Sequence, residues 1–211
     1  MRGVEQIPWL YDGLIRLFPG LGRWRRDLLA LASGRILEVG CGTGLGLRDA
    51  DPAVDTLCGI DPNPASLQRA RQRAPGADLV LASAEYLPFA DNSFDCVVSS
   101  LVFCSVPDPA RGLAEIRRVL KSDGRLLMLE HVQAHGRLAA RLLDLIQPPW
   151  TAITGGCHPN RQTEATVEAA GFRIEPETRR ARGVMRLFVA YPALDSLPQE
   201  SACTKPAPIA S

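Results

Sequence analysis

The 211-residue chain lacks the features that mark several large classes of protein. Its formal net charge is only +1, which argues against a broad binding surface for nucleic acid or anionic lipid. No apolar run approaches the length of a membrane span, and residues 1–20 lack the basic and uninterrupted apolar segments of a signal peptide. The six cysteines form no CxxC pair, which disfavours zinc and a disulfide framework. We therefore expect a cytoplasmic protein with reduced thiols, no metal, no transmembrane segment and no nucleic-acid partner.

What the chain does contain is an alternation of short apolar runs and helical segments. The runs at 35–39, 56–61, 78–83, 94–100 and 124–132 predict strands. Such alternation with short links indicates an α/β fold, an open parallel sheet with helices on both faces. Residues 137–150 predict a helix that stops at two prolines, and residues 172–192 predict a closing antiparallel hairpin.

Composition divides the chain into three parts. Residues 1–34 predict two helices, which we interpret as an N-terminal helical lid, and residues 35–191 hold the α/β domain. Residues 192–211 are rich in Pro, Ser and Ala, which favours a disordered tail.

The first strand ends in Glu38, and glycines follow at the alternate positions Gly40, Gly42 and Gly44. Glycine permits positive φ and the close approach of a ligand to the backbone. Asp61 ends the second strand about twenty residues further on, where an acid can accept both hydroxyls of a ribose. The spacing is G-x-G-x-G rather than the G-x-G-x-x-G of dinucleotide sites, and Glu38 would repel a pyrophosphate but suits a cation. A nucleoside with a positive group is therefore favoured over a nicotinamide dinucleotide.

Four segments, taken in this order and spacing, resemble the class I S-adenosylmethionine-dependent methyltransferases: "LEVGCGTG", "GIDPNPASLQRAR", "AEYLPFADNSFDCVVSS" and "EIRRVLKSDGRLLMLEH". The resemblance covers roughly residues 35–191. It implies a Rossmann-like fold whose seven-stranded, mostly parallel sheet has an antiparallel last strand, and it implies S-adenosylmethionine as cofactor. It also implies cofactor contacts at Glu38, Gly40, Cys41, Gly42, Gly44, Asp61, Pro62, Ser83, Ala84, Glu85 and Ser99. The chain departs from the family at Ser83, where relatives often carry Asp, and at "KSDG", where they usually have a Pro-Gly-Gly turn.

Three further segments are similar to a narrower group that contains the alkyl-thiol S-methyltransferases: "LVFCSVPDPARGLAEIRRVL", "LEHV" and "GGCHPNRQT…AAGF". The ubiquinone and menaquinone C-methyltransferases share more of the first half than of the last two segments. A thiol acceptor also needs only mild help to ionise. We therefore expect a small-molecule methyl acceptor, with a thiol favoured. The alternatives are C- or O-methylation of a quinone-like or phenolic metabolite, a phospholipid head-group amine, and a non-catalytic S-adenosylmethionine-binding protein.

Two histidines are candidates for a catalytic base, because imidazole titrates near neutral pH. His131 follows the fifth strand and His158 lies in the loop before the last predicted helix; each is alternatively a local hydrogen-bonding or exposed residue. The candidate substrate-binding residues are Tyr11, Cys104, Trp150, Cys157 and Arg161. Their alternatives are core packing for the cysteines and aromatics, and anchoring of a loop for Arg161. The oligomeric state is left open.

Overall fold

The computed structural model describes residues 7–17, 19–50, 54–132 and 136–193. The predicted tail therefore lies, except for its first two residues, outside the described part. The seven α-helices described are α1 (Pro8–Arg16), α2 (Pro19–Leu29), α3 (Leu45–Asp49), α4 (Pro64–Arg73), α5 (Pro109–Val119), α6 (Arg137–Thr154) and α7 (Thr163–Ala169). The strands are β1 (Arg35–Val39), β2 (Thr56–Asp61), β3 (Asp78–Leu81), β4 (Phe94–Ser100), β5 (Leu120–His131), β6 (Phe172–Ile174), β7 (Arg180–Arg182) and β8 (Met185–Pro192).

All the strands join one sheet in the order β3-β2-β1-β4-β5-β8-β6, and β7 also pairs with β8. The pairs among β1 to β5 are parallel, whereas β8 runs antiparallel to β5, β6 and β7. The predicted fold class is thus confirmed, with the additional short strand β7 beside β8. From β1 the chain moves outward to β2 and β3 and then returns to the other side of β1 at β4. In open α/β sheets, ligands bind at the carboxyl ends of the strands beside such a reversal.

Both faces of the sheet are covered by apolar side chains. On β5, Leu126 and Met128 pack into one core cluster with Phe188, while Leu127 and Leu129 pack into a second cluster. The second cluster also contains Leu28 of α2. Burial on both faces explains why the central strands read as continuous apolar runs rather than as alternating ones.

Two helix boundaries show how local chemistry sets the elements. The Asn63 side chain accepts hydrogen bonds from the backbone nitrogens of Ala65 (3.0 Å) and Ser66 (3.4 Å), so it caps α4. The predicted stop of α6 at its two prolines is wrong, because the helix continues through them to Thr154. It ends instead at Gly155, whose φ of 91° is left-handed and whose nitrogen donates to the Thr151 carbonyl. Within the described ranges, no helix combines the length and apolar character that crossing a bilayer requires.

Candidate functional site

A cleft of about 650 Å³ opens at the carboxyl ends of β1, β2 and β4. Most of the predicted cofactor residues line it, namely Glu38, Gly40, Cys41, Gly42, Asp61, Pro62, Ser83, Ala84 and Glu85. The structure thus brings together residues from three separate predicted motifs. Gly44 and Ser99 lie outside its wall, and their contacts show why.

The three alternate glycines lie against different neighbours. All have positive φ, but a Cβ at Gly40 would lie 2.5 Å from a methyl group of Val102. A Cβ at Gly44 would lie 2.8 Å from the Ala70 backbone, so Gly44 allows close packing against α4. At Gly42 the nearest atom is the Gly40 carbonyl oxygen at 4.0 Å, so only this position faces open space in the cleft.

A fourth glycine, Gly46 in α3, is essential to the floor of the cleft and was missed from the sequence. A Cβ there would lie 2.1 Å from Oε1 of Glu38, so this glycine makes room for the buried carboxyl group. The available signal was a glycine inside the first turn of a helix, where it is otherwise unfavourable.

Glu38 itself is almost fully buried, and its Oε2 has no hydrogen-bond partner among the described residues. Burial raises the pKa of this carboxyl group to about 8, although the nearby Arg25 opposes the shift. Arg25 also lines the cleft. An unpartnered acceptor under a roomy cleft fits a ligand that carries a protonated amino group, as S-adenosylmethionine does.

Asp61 supports the glycine turn and also faces the cleft. Its Oδ2 accepts a hydrogen bond from the Gly42 nitrogen and its Oδ1 accepts one from the Asn63 nitrogen, both at 2.9 Å. Burial raises the pKa of Asp61, and these two backbone donors oppose that shift. Each carboxylate oxygen has a second lone pair, so the side chain can still accept ribose hydroxyls.

The wall opposite the glycine turn is fixed by Glu85 and Arg111. Glu85 Oε1 accepts from the Asp108 nitrogen at 3.3 Å, and Arg111 donates to the Glu85 carbonyl at 3.2 Å. The Arg111 guanidinium also lies 4.0 Å from the centroid of the Tyr86 ring. This side of the cleft therefore holds the segment expected to meet the adenine.

The N-terminal helix α1 is tied to the glycine turn through Asp12. This buried carboxylate accepts a hydrogen bond from the Thr43 hydroxyl at 2.6 Å and pairs with Arg73 of α4 at 2.5 Å. Pro8, at the start of α1, lines the cleft. Tyr11 lies in α1, but its side chain is outside the part that the structure describes.

The loop after β4 is held by Glu130, a second acid that the sequence analysis did not single out. This fully buried residue accepts hydrogen bonds at Oε1 from the Ser99 hydroxyl (2.8 Å) and the nitrogens of Val102 (3.1 Å) and Phe103 (3.2 Å). Burial raises the pKa of Glu130 to about 7. Ser99 is therefore a partner of Glu130 rather than part of the cleft wall. An acid at the end of the apolar run of β5, in "LEHV", was the available signal.

Two candidate residues of the loop before α7 anchor the loop after β4. The Arg161 guanidinium donates to the carbonyls of Phe103 and Val106, which is the loop-anchoring alternative considered from the sequence. The His158 nitrogen donates to the Cys104 carbonyl at 2.8 Å, and His158 Nδ1 lies 2.6 Å from the Gly156 carbonyl oxygen. Because a carbonyl only accepts, Nδ1 must carry the proton in this contact.

The remaining candidates meet in one group behind the cleft wall. The Cys157 sulfur hydrogen-bonds to the Cys104 thiol and to the side chains of His131 and Trp150. Both cysteines are buried, and Cys104 Sγ lies 3.6 Å from the hydroxyl of Ser105, which lines the cleft. The structure thus joins residues that the sequence placed in three different segments.

Comparison of the sequence with known proteins identifies methyltransferases. Residues 37–128 match the family described as "Methyltransferase domain". The chain is 36% identical over 145 residues to the thiol S-methyltransferase TMT1B of Rattus norvegicus, covering 65% of this chain and 59% of that relative. It is 30% identical over 166 residues to the demethylmenaquinone methyltransferase of Thermotoga maritima. That alignment covers 74% of this chain and 72% of the relative.

Among solved structures, the fold is similar to that of a Thermotoga maritima protein described as a SAM-dependent methyltransferase and possible histamine N-methyltransferase. The TM-score is 0.66 at 20% identity, covering 89% of this chain and 98% of that one. At this identity the likeness concerns the fold alone. The chain spans less than two thirds of the length of the rat relative.

Proposed function

The chain belongs to the class I S-adenosylmethionine-dependent methyltransferases, and from this premise we propose that it transfers a methyl group to a small-molecule thiol. S-adenosylmethionine is the cofactor of this family, and it supplies a methyl group activated by a positive sulfonium. The observation that carries the choice of a thiol is the 36% identity to a relative named thiol S-methyltransferase. The acceptor chemistry agrees, because an unperturbed thiol has a pKa of about 8.5 and ionises with little help.

The residues of the cleft suit the two ends of the cofactor. We assign Glu38 Oε2 to the amino group, since it is a buried acceptor with no partner among the described residues. Asp61 would accept the ribose hydroxyls, and Ala84 and Glu85 would meet the adenine edge. Gly42 leaves the space into which the ligand fits. These residues bind and orient, and positioning supplies most of the acceleration in such a transfer.

The acceptor would approach from the side of the cleft formed by the loop after β4, where Ser105 and Val106 lie. His131 and His158 stay proposed bases. His158 has Nε2 available in the tautomer that its Nδ1 contact requires, whereas His131 contacts the Cys157 sulfur. Tyr11, Cys104, Trp150, Cys157 and Arg161 stay proposed residues of the acceptor side, and residues 1–34 stay a proposed lid. A cytoplasmic location and the lack of a nucleic-acid partner are kept as predictions.

A second candidate is C-methylation of a quinone-like acceptor. It is favoured by the alignment with the demethylmenaquinone methyltransferase, which covers 72% of that relative. A protein that binds S-adenosylmethionine without catalysis is the alternative of another class, because the glycine turn and Asp61 would serve it equally well.

The test is transfer of labelled methyl from S-adenosylmethionine into a panel of alkyl thiols, phenols, quinols and amines. Asp61→Asn removes one negative charge from the cleft. Asp78→Asn is its matched control, because Asp78 is the first residue of β3 and lies at the amino ends of the strands, away from the carboxyl ends where the cleft opens. We expect label on thiols, loss of label with Asp61→Asn and no change with Asp78→Asn. Label on quinols alone would favour the second candidate. Calorimetric binding without label on any acceptor would favour the non-catalytic alternative.

A further inference from the structure

We propose that Cys104 and Cys157 form an oxidation-sensitive pair that closes to a disulfide and thereby locks the acceptor side of the cleft. The formation of the bond is independent of the proposed function. Only its effect on methyl transfer rests on that function.

The backbone places the two cysteines side by side. The nitrogen of His158, the residue after Cys157, donates to the Cys104 carbonyl at 2.8 Å. The Thr151 hydroxyl donates to the Cys157 carbonyl at 2.8 Å and the Thr154 hydroxyl accepts from the Cys157 nitrogen at 3.3 Å. The pKa of each thiol is shifted by a side-chain hydrogen bond to the other, so the two sulfurs are neighbours, and a disulfide requires them to approach to about 2.05 Å.

The surroundings shift the pKa values of the two thiols in opposite directions. Hydrogen bonds from Cys104, His131 and Trp150 hold the pKa of Cys157 well below its usual range, whereas the pKa of Cys104 is raised because it donates to Cys157 and is buried. Glu130 and Arg161 are the nearby charged groups, of opposite sign. A thiolate beside a protonated thiol matches a sensor cysteine and its resolving partner in charge state. Both cysteines are buried, so an oxidant would have to enter from the cleft, where Ser105 lies 3.6 Å from Cys104 Sγ.

The other cysteines of the described core differ in this respect. Burial raises the pKa of Cys96 to about 11 and raises that of Cys58. Burial likewise raises the pKa of Cys41. They are therefore protonated at neutral pH and react slowly, because the thiolate is the nucleophile.

The oxidant is hydrogen peroxide, and the chemistry takes two steps. The Cys157 thiolate attacks the peroxide, the O–O bond breaks, and with one proton from solvent a sulfenic acid and one water form. The Cys157 sulfenic sulfur is then attacked by the Cys104 sulfur, the S–O bond breaks, and the Cys104 proton leaves with the hydroxide as a second water. Sulfur is oxidised by two electrons in total and the peroxide is reduced to two waters.

The bond would tie together two stretches of the cleft wall. Ser105 and Val106 follow Cys104, and Gly155 precedes Cys157; all three line the cleft. A disulfide restricts the relative motion of these stretches, which the acceptor must pass. We therefore expect slower methyl transfer from the oxidised protein, with restoration by a dithiol reductant.

The first experiment uses the full wild-type chain. The chain is treated with stoichiometric hydrogen peroxide and mapped by mass spectrometry, and isotope-coded alkylation of the untreated protein compares the reactivities of its cysteines. We expect a Cys104–Cys157 peptide link, and alkylation of Cys157 at least about tenfold faster than of Cys58, since an ordinary thiol is only a few per cent ionised at neutral pH. A link through Cys203 or Cys41 instead, or sulfinic acid at Cys157 with Cys104 still free, would overturn the proposal.

Variants then test the partnership. Cys104→Ser should leave Cys157 as a trapped sulfenic acid, detectable with a dimedone probe, while the matched control Cys58→Ala should still form the link. The absence of a sulfenic acid in a folded Cys104→Ser protein would count against Cys157 as the attacked sulfur. Calorimetric binding of S-adenosylmethionine, measured before and after oxidation, keeps a failure of the proposed methyl transfer distinct from a failure of the disulfide.

Discussion

Replacing Gly46 by alanine tests the architecture of the cleft floor most directly. In an exposed helix, Gly→Ala is stabilising by about 1 kcal/mol, because alanine loses less backbone entropy on folding. At Gly46 the new Cβ would lie 2.1 Å from Oε1 of Glu38, and 2.6 Å from its Oε2. A normal carbon–oxygen contact is about 1 Å longer, so the carboxyl group must move.

The direction of that movement determines the expected result. The Glu38 carboxyl lies at the end of a flexible side chain, and Glu38 is one of the residues that line the cleft, so we expect the carboxyl group to swing toward the ligand site rather than to break the fold. We expect a change in the free energy of unfolding of no more than about 1 kcal/mol either way, since helix propensity offsets the shift. Misplacing the acceptor for the charged amino group of S-adenosylmethionine should cost about 1.5–3 kcal/mol in binding, which is roughly tenfold to a hundredfold in affinity.

Calorimetric titration and urea unfolding measure the two quantities. Gly13→Ala is the matched helix control, because a Cβ at Gly13 of α1 would meet no atom within 4 Å. It should gain about 1 kcal/mol of stability with unchanged affinity. If the loss at Gly46 acts through Glu38, the double variant Glu38→Ala with Gly46→Ala should bind no more weakly than Glu38→Ala alone. Wild-type affinity in Gly46→Ala would refute the role assigned to Glu38.

Three further outcomes follow from single contacts. Because burial raises the pKa of Glu130 from 4.5 to about 7, its contribution to stability is complete below 4.5 and is lost as pH rises to about 7. Urea unfolding across this range should therefore show a smaller fall for Glu130→Gln, and an unchanged fall would contradict the assignment. Asn63→Ala should cost about 1 kcal/mol in thermal unfolding through loss of the cap of α4. Asp12→Asn should speed amide hydrogen exchange in α1 but not in β4, because its ion pair with Arg73 is weakened; equal exchange would argue against a tethered helix.

The two buried acids of the site have different tasks. Oε2 of each acid is buried and has no hydrogen-bond partner among the described residues. Glu38 lines the cleft, whereas Oε1 of Glu130 accepts hydrogen bonds from three donors that shape the loop after β4. That loop places Val102 against Gly40, so Glu130 acts on the glycine turn through an intermediate residue. Packing of Val102 thus connects the loop held by Glu130 to the glycine turn above Glu38.

Local chemistry made much of the fold predictable. The bounds of β2 and β4 and the cap of α4 follow from residues adjacent in the chain, and the structure agrees with them. The same local reasoning failed at Pro148 and Pro149. It considers the backbone hydrogen bond that each proline removes, but not the remaining hydrogen bonds with which α6 continues to Thr154. There the left-handed Gly155, seven residues beyond the first proline, sets the true end.

The sequence by itself determined the order of strands and helices, the glycine turn between two acids, and with them the family. Only the tertiary structure decided which glycine faces the cleft, since Gly44 meets Ala70 of α4 and Gly40 meets Val102. It also decided that Ser99 serves Glu130 and that Cys104 lies against Cys157. The physical reason is distance along the chain: turns and caps depend on neighbours in sequence, whereas these contacts join residues that only the closed sheet brings together.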